Sequence, residues 1–127
     1  MAQANSAVVA AADAGEIRQR RPIDLVHLAR QTMGDHSLEI EILRMFDEQV
    51  RDQMVRLRTT GDSGERLLVL HAIKGTAFGV GALMVGQLAA NGEAQQRRDG
   101  EVAAEVIADL DLAVAEARAF IGEMLAG

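Results

Sequence analysis

An all-α fold, one short helix followed by four longer ones, is the architecture this sequence predicts, and three observations predict it. Ala, Leu, Val and Met dominate the apolar half of the chain, Trp and Tyr are absent, and Phe46, Phe78 and Phe120 are the aromatic residues. That balance favours helix over sheet, which selects aromatic and β-branched side chains. The sole proline is Pro22, so no forced break follows it. Beyond Pro22, apolar residues recur every third or fourth position, the helical period.

Each element follows in order. Residues 1–21 show no period and read as a tail, with an Ala-rich stretch at 7–12 and positive charge at Arg18, Arg20 and Arg21. The helical domain is expected over 22–127. Asp24 is a candidate N-cap for a short helix whose stripe is Leu25, Leu28, Ala29 and Met33, ending at Gly34. Asp35 or Ser37 caps the next helix, whose stripe Leu43, Phe46, Val50, Met54 and Leu57 falls on one face. Thr59-Thr60-Gly61-Asp62 breaks the pattern, and Ser63 is the expected cap of a helix from Gly64 to Val80. That helix turns Leu70, Ile73, Ala77 and Val80 inward, and Gly79 and Gly81 mark its end. A fourth helix is expected from about Ala82 to Arg98, with Val85, Leu88 and Ala89 inward, before the Asp99-Gly100 turn. The last, from about Glu101 to Leu125, buries Val106, Leu110, Val114, Ala117 and Ile121. Short connections make successive helices antiparallel neighbours.

Composition also narrows the function. The 127 residues fit one domain and supply enough apolar surface for a real core. With no cysteine, disulfides, thiolate chemistry and Cys-ligated zinc are excluded together. A net charge of −6 argues against a nucleic-acid or anionic-membrane surface. No stretch approaches a transmembrane span, and the apolar run at 7–12 has no basic residues before it, so a cytoplasmic domain is expected.

The chemistry is concentrated in His71-Ala72-Ile73-Lys74-Gly75-Thr76-Ala77-Phe78-Gly79-Val80-Gly81-Ala82. At about 100° per residue, Ile73, Ala77 and Val80 share one side of the helix. His71, Lys74, Gly75 and Phe78 share the other, so the imidazole faces away from the core. An outward histidine of ordinary pKa, near 6.5, is partly neutral and nucleophilic at neutral pH. Lys74, one turn on, sets an ammonium beside it, where it can support spreading phosphoryl charge. Gly75 removes a side chain where a second protein must approach, at a helical cost of about 1 kcal/mol. Phe78, two turns along, is a large apolar group for docking, or one that folds back over the start of the fourth helix. Across the Gly81–Ala82 turn, Glu93 lies about as far after it as His71 lies before, and so is a candidate to orient the imidazole.

These residues resemble the histidine-containing phosphotransfer (HPt) family. Its His-x-x-Lys-Gly segment, a following small residue and a later Gly-Ala are matched by His71, Lys74, Gly75, Thr76, Gly81 and Ala82. The likeness extends more weakly over Ile23 to Leu125. Gly92 stands where the family usually has leucine, and Gly79 and Gly86 add flexibility about the hairpin. The resemblance implies an up-and-down antiparallel four-helix bundle, with an extra short N-terminal helix here. It implies a phosphocarrier without kinase activity, relaying a phosphoryl group on His71 between the aspartates of receiver domains. The partners implied are response-regulator receiver domains and a hybrid histidine kinase. The receiver brings the Mg²⁺, so no cofactor or metal of the chain's own is expected. Besides Gly75, Phe78 and Thr76, candidate docking positions are Arg66, Leu67, Leu68 and Gln87.

The alternative is a helical-bundle interaction module, never phosphorylated, that binds a receiver or kinase; retention of His71 with Lys74 and Gly75 argues against it. A phosphorylatable domain of a chemotaxis-type kinase is a further reading. A metal-binding bundle is weakest, because Asp24 and His27 have no paired Glu/His set on other helices. His27 and His36 are expected to be structural or solvated, Met84 and the other methionines to be core filler, and the chain to be a monomer.

Overall fold

The computed structural model describes residues 21–127, and the expected tail, apart from Arg21, lies outside them. Those residues fold into five helices without a strand. Helix α1 is Leu25–Thr32, α2 is His36–Thr59, α3 is Ser63–Val80, α4 is Leu83–Asp99 and α5 is Ala104–Ala126. Helix α2 packs on α3, α3 on α4, α4 on α5 and α5 back on α2, closing a ring, while α1 lies against α2 and α3.

The stripes explain the packing. Leu43, Phe46, Val50 and Met54 of α2 meet Leu70, Ile73 and Ala77 of α3, Val85 and Ala89 of α4, and Leu110, Ala117 and Ile121 of α5 in one buried core. Truncating a core leucine or isoleucine to alanine typically costs about 2–5 kcal/mol, so this interior supplies the fold's stability. Ile23, just ahead of α1, is fully buried in the same core. Leu88 and Val106 are half-buried, at the margin of the core they were expected to enter.

The caps show where local chemistry sets the boundaries. Asp24 accepts from the N–H groups of Val26 and His27 at 3.1 and 3.2 Å, and Asp35 accepts from Leu38 at 3.1 Å. Three expectations are corrected. Ser63 is the first helical residue of α3, not its cap; the Asp62 carboxylate takes the Gly64 and Glu65 N–H groups at 2.8 and 3.4 Å. Met33 does not join the stripe of α1, because it is the left-handed C-cap with φ 54° and the residue is 95% exposed. Helix α5 begins at Ala104, three positions later than expected, since the Gln95 side chain holds the Ala103 N–H at 2.7 Å outside it.

The α3–α4 turn positions the site. Gly81 ends α3 with φ 89°, and Ala82 N–H reaches back to the Ala77 carbonyl at 2.8 Å. The Gly81 carbonyl accepts from the Asp24 N–H at 2.8 Å, and a Cβ on Gly81 would stand 2.9 Å from the Asp24 oxygen. Glycine is required there by both the backbone and the close approach.

Candidate functional site

Leu70, Ile73, Ala77 and Val80 anchor α3 in the core, so the residues between them are carried to the outside of the α3–α4 seam. His71 stands there with its side chain 61% exposed. From α4, Glu93 reaches under it. This carboxylate is only 5% exposed and takes His71 Nδ1 at 2.7 Å, Lys74 Nζ at 2.6 Å and Arg97 at 2.9 Å.

The ionisation state follows from those contacts. Lys74 holds the Glu93 carboxyl below its ordinary value; burial opposes this, and His71 and Arg97 add to it. Glu93 is therefore a carboxylate, which can only accept hydrogen bonds. His71 Nδ1 must then be the donor, so that whenever the ring is neutral the Nε2 lone pair is its nucleophilic atom. With His71 neutral, the cluster sets one carboxylate against the Lys74 and Arg97 cations, a net positive charge beside an exposed imidazole. The open depression beside it is lined by Lys74, Ala90, Glu93, Ala94, Arg97 and Arg98. Such a site can hold an incoming anion and orient one ring nitrogen toward it.

The other expected site residues are distributed around this cluster. A Cβ on Gly75 would meet nothing within 4 Å, so the glycine leaves open space one turn from His71. Phe78 is 37% exposed and lies over Gly86 of α4. Thr76 is half-buried and its hydroxyl donates to the Ala72 carbonyl at 3.0 Å, so its polar end is turned to its own helix. Leu68 is exposed, Leu67 half-buried and Gln87 exposed. Arg66 is not a free rim charge, because its guanidinium binds the Thr60 carbonyl at 3.2 Å and Gln96 at 3.4 Å.

The remaining histidines lie apart from the site. His27 Nε2 is 3.2 Å from the Gly79 carbonyl, tying α1 to the end of α3, and His36 is exposed beside Glu39. Of the methionines expected as core filler, Met54 is buried, but Met84, Met45 and Met124 are instead exposed. Asp24 is the α1 cap, and among the described residues no group of three or more His, Asp or Glu side chains is gathered as for a metal ion. No helix among them is long and apolar enough to cross a membrane.

Two residues beside His71 and Phe78 escaped sequence reasoning. Arg97 sits four residues after Glu93, the spacing at which an acid and a following base meet on one helix face, so its pairing was readable. That Phe78 could fold back over the start of the fourth helix was a reading the sequence allowed, and the ring does lie there; Gly86 as its seat was not readable, because it depends on how α3 and α4 are set against each other. Gly92 fills a similar packing role, with Leu70 Cδ2 only 3.1 Å from where its Cβ would be. Comparison of the chain with protein-family models, curated proteins and solved structures found no match.

Proposed function

We propose that this chain is a cytoplasmic histidine phosphotransfer protein, a phosphocarrier of the HPt type that relays a phosphoryl group between receiver-domain aspartates through His71. In this reading α2–α5 are an up-and-down antiparallel four-helix bundle, consistent with their ring of packing, and α1 is an added brace. The observation that carries the proposal is the Glu93–His71 hydrogen bond at 2.7 Å, made by a buried carboxylate to an exposed ring and flanked by Lys74 and Arg97.

The chemistry balances without a base. Nε2 attacks the phosphorus of a receiver's aspartyl phosphate; the N–P bond forms as the acyl P–O bond breaks, and the aspartate leaves as its carboxylate. Because Nδ1 keeps its proton, the phosphorylated ring carries positive charge, which the Glu93 carboxylate offsets. Lys74 and Arg97 lie where they can turn from Glu93 toward the phosphoryl oxygens. Return transfer reverses these steps on a second receiver. The receiver supplies the Mg²⁺, and Gly75 leaves room for its active site.

The test is to incubate the chain with a panel of aspartyl-phosphorylated receiver domains and Mg²⁺ and follow acid-labile label, with phosphoramidate as a partner-free donor. Label on the wild type and none on His71→Gln is the expected result. If neither receivers nor phosphoramidate label His71, the chain is better read as an interaction module.

A further inference from the structure

Phe78 is an unusual side chain to leave at the surface, and its position depends on a residue of the facing helix. Seven residues after His71, it lies about 10 Å along α3 and about 20° round it, on the same face. A Cβ on Gly86 would fall 2.7 Å from Cδ1 and from Cε1 of Phe78 and 2.9 Å from Cζ. One edge of the ring thus occupies the volume that any other residue at 86 would fill. Nothing about α4 itself demands glycine there, since Gly86 is inside a helix, where glycine costs about 1 kcal/mol against alanine. The seam beyond it continues over Ala90 to the depression beside Glu93, so its two ends differ in kind. One is apolar, Phe78 lodged on Gly86; the other is cationic, Lys74 and Arg97 around the carboxylate.

We infer that Gly86 is a specificity-determining positioning residue: it seats the Phe78 ring into the α3–α4 seam, so that the face around His71 accepts receiver domains with an apolar patch about 10 Å from their phosphorylated aspartate. This rests on the phosphocarrier reading and names the partner's chemistry. With the ring seated, Phe78 presents a low apolar shoulder. A side chain at 86 displaces the ring outward, into the space the partner's surface takes up. A polar receiver surface at that distance would have to bury its hydrogen-bonding groups against the ring without partners, which selects against it.

The experiment compares wild type, Phe78→Ala, Gly86→Ala and the double variant. It measures transfer from a receiver panel and, separately, dissociation constants for the same receivers unphosphorylated. For the best receiver, Gly86→Ala and Phe78→Ala should each raise KM and the dissociation constant roughly tenfold, with kcat little changed. The double variant should be no worse than Phe78→Ala alone, because the glycine matters only through the ring. Should Gly86→Ala fail to fold, recovery of folding in the double variant supports the seat. The inference is overturned if Gly86→Ala binds and transfers like wild type, if the two effects add, or if phosphoramidate labelling of His71 falls in step with the receiver reactions. Failure of phosphoramidate to label the wild type would instead remove the phosphocarrier reading, and the dissociation constants would still decide the role of Gly86.

Discussion

The seam between α2 and α5 and the seam between α3 and α4 are both bridged by ion pairs, but the two are built differently. At the first, charges are matched one to one: Arg118 binds Asp47 at 2.8 Å, and Arg58 binds Asp111. The four side chains are 29–44% exposed, so each pair contributes little. At the second, one buried carboxylate holds an imidazole, an ammonium and a guanidinium. A matched pair closes a surface. An acid outnumbered by cations beside open space leaves charge available for an anion, and the anion proposed here is a phosphoryl group.

Removing the acid separates the two seams most sharply. Glu93→Ala should destabilise the fold by about 1–3 kcal/mol, the range for loss of charged hydrogen bonds. It should also cut phosphoramidate labelling of His71 by tenfold or more, measured beside denaturant melts. The effect should depend on pH with a definite sign. The folded-state pKa of Glu93 is depressed below its ordinary 4.5, so its contribution is fully present above about that pH. It is lost as pH falls through the lower folded value, and the stability gap between wild type and Glu93→Ala should narrow on acidification below 4.5. A gap that widens on acidification would mean that Glu93 is not held ionised by its neighbours.

Gly75→Ala sharpens the contrast from the other side. Its Cβ would meet no atom within 4 Å, so the helix should gain about 0.5–1 kcal/mol in thermal or denaturant unfolding. Transfer from receivers should slow, because the methyl enters the approach space beside His71. Stability and transfer moving in opposite directions is the signature of a surface kept open for a partner. The smallest effect belongs to the matched seam. Arg118→Ala should cost about 0.2–1 kcal/mol, less at high salt, and leave labelling of His71 as it was.

Much of this was legible in the sequence because it is periodic or local. The stripe from Leu43 to Leu57 and the inner face of α3 followed from spacing, and Asp24 and Asp35 cap as their side-chain chemistry suggests. The Glu93–His71 juxtaposition was accessible because a tight helical hairpin pairs residues equidistant from its turn. What was missed depends on contacts made after folding. The choice between Asp62 and Ser63 rests on which side chain reaches the free N–H groups. The late start of α5 rests on Gln95, a side chain from another helix. Gly92, which stands where the HPt family that the sequence resembles usually has leucine, faces Leu70, whose side chain fills the space a larger residue would need.

The tie between α1 and the α3–α4 turn bears on the order in which the chain assembles. Most helix contacts join sequence neighbours, a topology that forms quickly. The His27–Gly79 bond and the Asp24–Gly81 bond beside it close a loop, the former across a separation of 52 residues, and loop closure draws on chain entropy before any contact repays it. The brace should therefore dock after the hairpin exists, and Ile23→Val should speed unfolding while leaving the refolding rate nearly unchanged in stopped-flow measurements. The segment beside that hairpin would then be the last to arrive and the first to leave, and the hairpin bearing His71 would take shape without waiting for it.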